Sequence, residues 1–232
     1  MHLFYDPHIR DDSIELEEQE SKHAIRVLRL VKGDPVILVD GQGGWFEAVI
    51  EEDHPKRCRL RILKRTEGYH APGYKLHLAV APTKNMDRFE WFLEKATEIG
   101  ISEVTPLLCK RSERKQLKME RLERILVSAM KQSLKAYKPR MNPPLSFKEF
   151  MRKKPEGTLA ISHCHPIDRK GINELVHGGK YTFLVGPEGD FSEEEIAEAM
   201  KTGYIPVTLG EARLRTETAA LYITTAISFL HS

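Results

Sequence analysis

The sequence predicts an α/β protein: a mostly parallel sheet with interleaved helices over residues 74–232, preceded by a small β-barrel over residues 1–70. Three observations predict it. After residue 74, strand-like apolar runs alternate with runs of helical period, the pattern of a parallel sheet. Before residue 67 there are only short alternating segments, separated by turns at Gly33-Asp34 and Asp40-Gly-Gln-Gly-Gly44. Between the two lies Glu67-Gly-Tyr-His-Ala-Pro-Gly-Tyr74, a glycine- and proline-broken stretch suited to a domain boundary.

The barrel strands are expected over 36–40, 44–51 and 58–64, where apolar and polar residues alternate as on a half-buried strand. Short apolar runs bounded by turn residues place the later strands at 75–81, 104–108, 158–162, 181–185 and 205–209. Helical spacing of apolar residues places helices at 87–99, 119–136, 192–201 and 216–230. Internal repeats and low-complexity segments are absent from the sequence.

Composition sets further bounds. With 41% hydrophobic and 30% charged residues, the chain has material for a core and a solvated surface. Apolar runs fall short of the roughly twenty residues a membrane helix needs, and Met1-His-Leu-Phe-Tyr-Asp6 lacks the regions of a signal peptide. Cys58, Cys109 and Cys164 are scattered, as in a reduced cytoplasm, so a cytoplasmic protein without a disulfide scaffold is expected. The net charge of +2 conceals a basic segment: between Lys110 and Arg140 stand eleven Lys or Arg against three Glu. Such a run can be a solvated helix face, but the uncompensated excess favours a polyanion partner.

Two loops carry the chemistry. Leu184-Val-Gly-Pro-Glu-Gly-Asp-Phe191 and Leu209-Gly-Glu-Ala-Arg-Leu-Arg-Thr-Glu-Thr-Ala219 each follow a strand-like run and lead into a helix. Loops leaving the C-terminal ends of neighbouring strands in an open sheet form a ligand crevice. A phosphate site would need glycines beside a cation, but the first loop has Glu188, Asp190, Glu193, Glu194 and Glu195 instead. A dinucleotide or triphosphate is therefore excluded, whereas an uncharged adenosine or a cationic ligand is compatible. Gly186-Pro-Glu-Gly189 also fits a tight turn with glycine at positive φ, Ser192 with Glu195 fits a capping box, and Thr216 or Thr218 can cap the last helix. Arg215 and Glu217 are charges that a plain helix start does not need.

The two loops together resemble the motif pair of the bacterial RsmE family. His23-Ala-Ile-Arg26-Val-Leu-Arg29 with Lys32-Gly-Asp34, Lys95-Ala-Thr-Glu-Ile-Gly100, Thr105-Pro-Leu107 and Lys131-Gln-Ser133 extend the resemblance over most of the chain, in the family's order. The family commonly has an Arg after the Gln-Ser pair, where this chain has Leu134-Lys135. It has a triplet such as Arg-Ile-Leu where this chain has Ala212-Arg213-Leu214. The resemblance implies a SPOUT-class fold with a trefoil knot in the C-terminal domain, a PUA-like RNA-binding barrel before it, and a homodimer. It also implies S-adenosylmethionine as cofactor and N3 of a uridine in 16S ribosomal RNA, on the small subunit, as acceptor. Neither a metal nor a membrane is implied, because a sulfonium donor is activated by its own charge.

On that reading Val185, Gly186, Pro187, Gly189, Leu209, Gly210 and Leu214 suit the adenine and ribose, with Leu209 and Leu214 able to sandwich the purine. Thr216 and Thr218 complete the set of cofactor contacts, and Glu188 suits a ribose hydroxyl or the sulfonium. Arg215 is the candidate to stabilise the deprotonated uridine, with Glu217 or Glu188 as base or as orienting group. Arg26 and Arg29, three apart on one helix face, and Lys84, Lys95, Arg111, Arg114, Lys131 and Lys135 are candidate phosphate contacts. A non-catalytic RNA-binding or ribosome-assembly factor, or a SPOUT enzyme with another RNA acceptor, are the alternatives. His163-Cys-His165 is read as strand-end residues on opposite faces rather than a zinc site, and Trp91 and Phe92 as core.

Overall fold

A computed structural model of the chain describes residues 1–175 and 178–232. It divides into two compact units, one of Met1–Ala71 with Met130–Lys138 and one of Pro72–Ala129 with Pro139–Ser232.

The first unit begins with β1 (Leu3–Tyr5), β2 (Ser13–Glu15) and α1 (Glu18–Lys22), which runs into a π-helical turn at His23–Val27. β3 (Pro35–Val39), β4 (Trp45–Glu52) and β5 (Arg59–Thr66) follow. The sheet order is β1-β3-β4-β5-β2, with β1 parallel to β3 and the other pairs antiparallel. Register shifts at Glu47/Ala48 and Ile50/Glu52 curl it into a half-barrel. Alternation does the rest: Leu60 and Ile62 point inward with Leu38, Phe46 and Ile50.

Arg26 and Arg29 do not share a helix face. Leu28 N–H bonds to His23 five residues back, and Leu30 N–H reaches Ala24 across Arg29, which takes φ 57. The wider turn and the left-handed residue end the helix between the two arginines, and both side chains are exposed.

The second unit contains β6 (Lys75–Val80), α2 (Met86–Ile99), β7 (Glu103–Leu108), α3 (Met119–Gln132) as far as Ala129, β8 (Arg140–Met141) and β9 (Leu145–Ser146). There follow α4 (Phe147–Met151), β10 (Thr158–Ser162), β11 (Lys170–Gly171), β12 (Lys180–Val185), α5 (Glu193–Lys201), β13 (Ile205–Thr208) and α6 (Thr216–Leu230). Its parallel strands lie in the order β11-β13-β10-β12-β6-β7-β8, with β9 also on β7. Leu76, Leu78 and Val80 pack one face against Phe89 and Phe92 of α2 and Ile223 and Ile227 of α6. Ala79, Ile161 and Leu184 pack the other against Phe147 and Phe150 of α4 and Ile196 of α5. Cover on both faces explains why these strands read as unbroken apolar runs. Trp91, expected in the core, is 45% exposed, whereas Phe92 is fully buried.

The third helix stops at Gln132, short of the expected 136. Leu134 N–H returns to Lys131 and Lys135 N–H to Met130, a Schellman closure around Leu134 at φ 54. Met130 and Ala136 are thereby buried with Leu3, Val39 and Trp45 in the first unit, so that unit takes a segment beyond a single cut near residue 70. Leucine is strained in the left-handed region, and Leu134 is 43% exposed. Leu134→Gly is therefore expected to stabilise the protein by about 0.5–1 kcal/mol, read as a higher denaturation midpoint at unchanged m-value.

Candidate functional site

The registers Ser162↔Val185, Ser162↔Val207 and Val185↔Val80 align the C-terminal ends of β10, β13, β12 and β6. Just beyond them opens a cavity of about 270 Å³, walled by Ser162–Cys164, Val185–Glu188, Asp190, Arg213–Thr216 and Ala219. Both charged loops supply walls, and the loop after β10 supplies a third. The rule that ligands sit outside strand C-termini applied equally to 158–162. β10 ends at Ser162, so His163–His165 lie in the loop and not on a strand as expected. No group of three or more His, Cys, Asp or Glu suited to a metal occurs among the described residues.

The first loop is set by contacts that its local sequence hides. Asp190 N–H closes a turn onto the Pro187 carbonyl at 2.9 Å. The positive φ, expected on a glycine, falls on Asp190 at 61°. Its carboxylate makes that tolerable by accepting Phe191 N–H and Cys164 N–H, each at 2.8 Å. Gly186 packs closely: a Cβ there would lie 3.0 Å from the Phe191 ring, which would have to give by a few tenths of an ångström. Glu195 forms the expected capping box with Ser192 and also accepts Lys110 N–H at 2.8 Å.

Thr216 does not cap α6. The N-cap residue is Arg215, and Thr216 Oγ1 donates to the Gly186 carbonyl at 3.0 Å, tying the two loops together. Arg215 is exposed and in the cavity wall. Glu188 is in the wall too, with one carboxylate oxygen accepting Lys84 N–H at 2.9 Å. Glu217 is 7% exposed and outside the wall; one oxygen lies 3.8 Å from Arg88 Nε, and the other has no partner. Thr218 is exposed outside the wall. Leu209 and Gly210 line a second cavity, of about 340 Å³, with Tyr222 and Phe229, whereas Leu214 lines the first.

Several candidate phosphate contacts brace the protein itself. Arg111 donates to the Gly189 carbonyl at 2.8 Å and Arg114 to the Lys84 carbonyl at 2.9 Å. Lys84 pairs with Glu113 at 2.9 Å, and Lys95 with Glu94 and Glu98 at 2.7 and 2.9 Å; each pairing raises the lysine pKa. Within the first unit Lys131 grips both oxygens of Glu20, and Lys135 is half-buried with its pKa lowered by that burial. Lys110 Nζ lies 3.4 Å from Glu194. Part of the basic excess is thus neutralised by an acidic loop that is remote only in sequence.

A family profile described as an RNA methyltransferase domain matches residues 70–228, and one described as an RNA methyltransferase PUA domain matches residues 16–63. The chain is 31% identical over 220 residues to ribosomal RNA small subunit methyltransferase E of Synechocystis, covering 91% of this chain and 71% of that one. It is 30% identical over 176 residues to the protein of the same name from Mesomycoplasma hyopneumoniae, covering 74% and 77%. The crystal structure of ribosomal RNA small subunit methyltransferase E from Neisseria gonorrhoeae, bound to S-adenosylmethionine, superposes with a TM-score of 0.90 at 28% identity, covering 99% and 98%. The half-barrel followed by a parallel sheet, the crevice built from the two charged loops, and these likenesses agree: the chain belongs to the RsmE family of rRNA methyltransferases.

Proposed function

We propose that the protein transfers a methyl group from S-adenosylmethionine to N3 of one uridine in 16S ribosomal RNA, with the small subunit as substrate. The observation that carries the reading is the cavity itself. Glu188 and Asp190 stand in its wall, which suits a sulfonium better than a phosphate, and Arg213 and Arg215 stand there too. Val185–Pro187 line the cavity and bring backbone groups to an adenosine, while Gly186 makes room for the Phe191 ring.

When bound, the sulfonium supplies an activated methyl group without a metal. The chain's part is to hold donor and acceptor in line and to manage one proton. Uridine N3 carries that proton at neutral pH, and its lone pair becomes available only after the proton leaves. Arg215 stabilises the negative charge then shared with the adjacent carbonyl oxygens. Glu188, the glutamate in the wall, is the nearer candidate for the proton, and Glu217, 3.8 Å from Arg88, sits in the first turn of α6 just after Arg215 and orients it.

The uridine must be unpaired, because N3 lies on the Watson–Crick edge. Arg26 and Arg29, exposed beside the π-turn, support the half-barrel as the PUA-like RNA-binding domain. The knot belongs to the same reading, with β13 returning to pair β10 and not β12, the strand before it. So does a homodimer, supported by the exposed apolar residues Tyr222, Phe229 and Leu230 of α6. Among the described residues no helix is long and apolar enough to cross a membrane, which is compatible with a cytoplasmic enzyme.

Primer extension tests the reaction. Small subunits lacking the modification, incubated with protein and S-adenosylmethionine, should acquire one donor-dependent reverse-transcriptase stop, since an N3 methyl blocks pairing. Unchanged extension, with donor binding confirmed and a control methyltransferase active, would rule out N3 of 16S uridine as the target.

A further inference from the structure

His163 begins the loop after β10 and forms part of the cavity wall, yet it is only 4% exposed. Its Nδ1 accepts His165 N–H at 3.2 Å, which places the ring proton of the neutral tautomer on Nε2. Its carbonyl accepts Arg169 Nη1 at 2.7 Å, so the backbone is fixed as well. Nε2 is buried and has no partner. Burial, with Arg169 and His165 nearby, lowers the ring's pKa against the opposing pull of Asp190, so the imidazole is neutral at physiological pH. A buried N–H without an acceptor is destabilising, and such groups in native proteins call for a reason. His163 lines the cavity whose walls include residues of both charged loops.

We infer that His163 Nε2–H donates a hydrogen bond to the adenosine half of S-adenosylmethionine, making His163 a positioning residue for the methyl donor. The inference rests on the cavity being the donor site. The acceptor is a ribose oxygen or a ring nitrogen, the adenosine groups able to accept from a neutral N–H. Nothing in the charged motifs specifies this contact. It comes from the third loop, whose Cys164 N–H is anchored to Asp190, so donor loop and histidine are set by one carboxylate.

Calorimetry on the full chain tests it, with S-adenosylmethionine and with 5′-methylthioadenosine, which lacks the amino-acid end. His163→Asn keeps an acceptor near the Nδ1 position and removes Nε2–H, whereas His163→Gln can return a donor to the Nε2 position. The Asn variant should bind both ligands roughly 3- to 10-fold more weakly, the scale of one net hydrogen bond, and the Gln variant should recover most of the loss. Wild-type affinity in the Asn variant, or equal losses in both, would make His163 structural and overturn the inference. Loss for S-adenosylmethionine alone would move the contact to the methionine end and overturn the assignment to adenosine. Leu214→Lys, which puts a cation into the same wall, separates the two levels. If it leaves donor affinity unchanged, the cavity reading fails, and if it weakens binding while His163→Asn does not, only the histidine inference fails.

Discussion

Arg215→Ala is expected to slow methyl transfer to the small subunit by about 10²–10³-fold, the loss seen when one preorganised donor to a developing anion is removed. The residue stands at the N-cap of α6 with φ −72 and ψ 157, and its side chain makes no capping bond. It is exposed, so folding stability should change by no more than about 0.5 kcal/mol. The wall around it is held by other groups: Thr216 Oγ1 on the Gly186 carbonyl and Lys84 N–H on Glu188. Donor affinity should therefore survive while single-turnover methylation collapses. Arg215→Lys should recover little, because an ammonium keeps the charge but not the planar fork that spans two oxygens. Methylation at the wild-type rate in the alanine variant, measured by single-turnover transfer of labelled methyl groups, would remove Arg215 from the chemistry.

What the sequence made legible was local. β10 and α6 fall on their expected bounds because apolar runs stop at turn residues at both ends. The Ser192–Glu195 capping box was readable because both partners lie within four residues. Thr216 was misread as a cap because its true partner, the Gly186 carbonyl, is thirty positions away. The basic segment likewise seemed unopposed, although Arg111 and Lys110 contact the Gly189–Glu195 stretch some eighty residues on. Helix ends failed where the left-handed residue was not glycine: Leu134 and Arg29 carry no signal for positive φ, and the bonds from Lys135 N–H to Met130 and from Leu30 N–H to Ala24 close the chain around them. Ser162 to Cys164 escaped notice as a cavity wall because composition shows where a strand ends but not which neighbouring loops converge on it.

Phe191→Ala should have the largest effect on folding. The ring is fully buried, meets Phe147 edge-on at 5.9 Å between centroids, and belongs to the cluster of Ala79, Ile161 and Leu184 beneath the sheet. Truncating such a side chain costs about 3–5 kcal/mol, which for a chain of this size lowers the melting temperature by on the order of 10 °C. The local consequence is as informative. Phe191 fills the space that a Gly186 side chain would need, its N–H is held by Asp190, and its carbonyl lies 3.1 Å from His165 Nε2 and 3.4 Å from Arg111. One residue therefore joins the core to all sides of the first charged loop. Phe191→Leu restores most of the buried surface and should cost roughly 1–1.5 kcal/mol, but it leaves the region beside Gly186 unfilled. If the ring's role is to shape the loop as well as to fill the core, the leucine variant should stay folded while donor affinity falls. Thermal melting of both variants, paired with donor titration of the leucine form, separates the two roles. An alanine variant melting within a degree or two of wild type would show that the cluster collapses around the gap, and that the loop holds its shape without the ring.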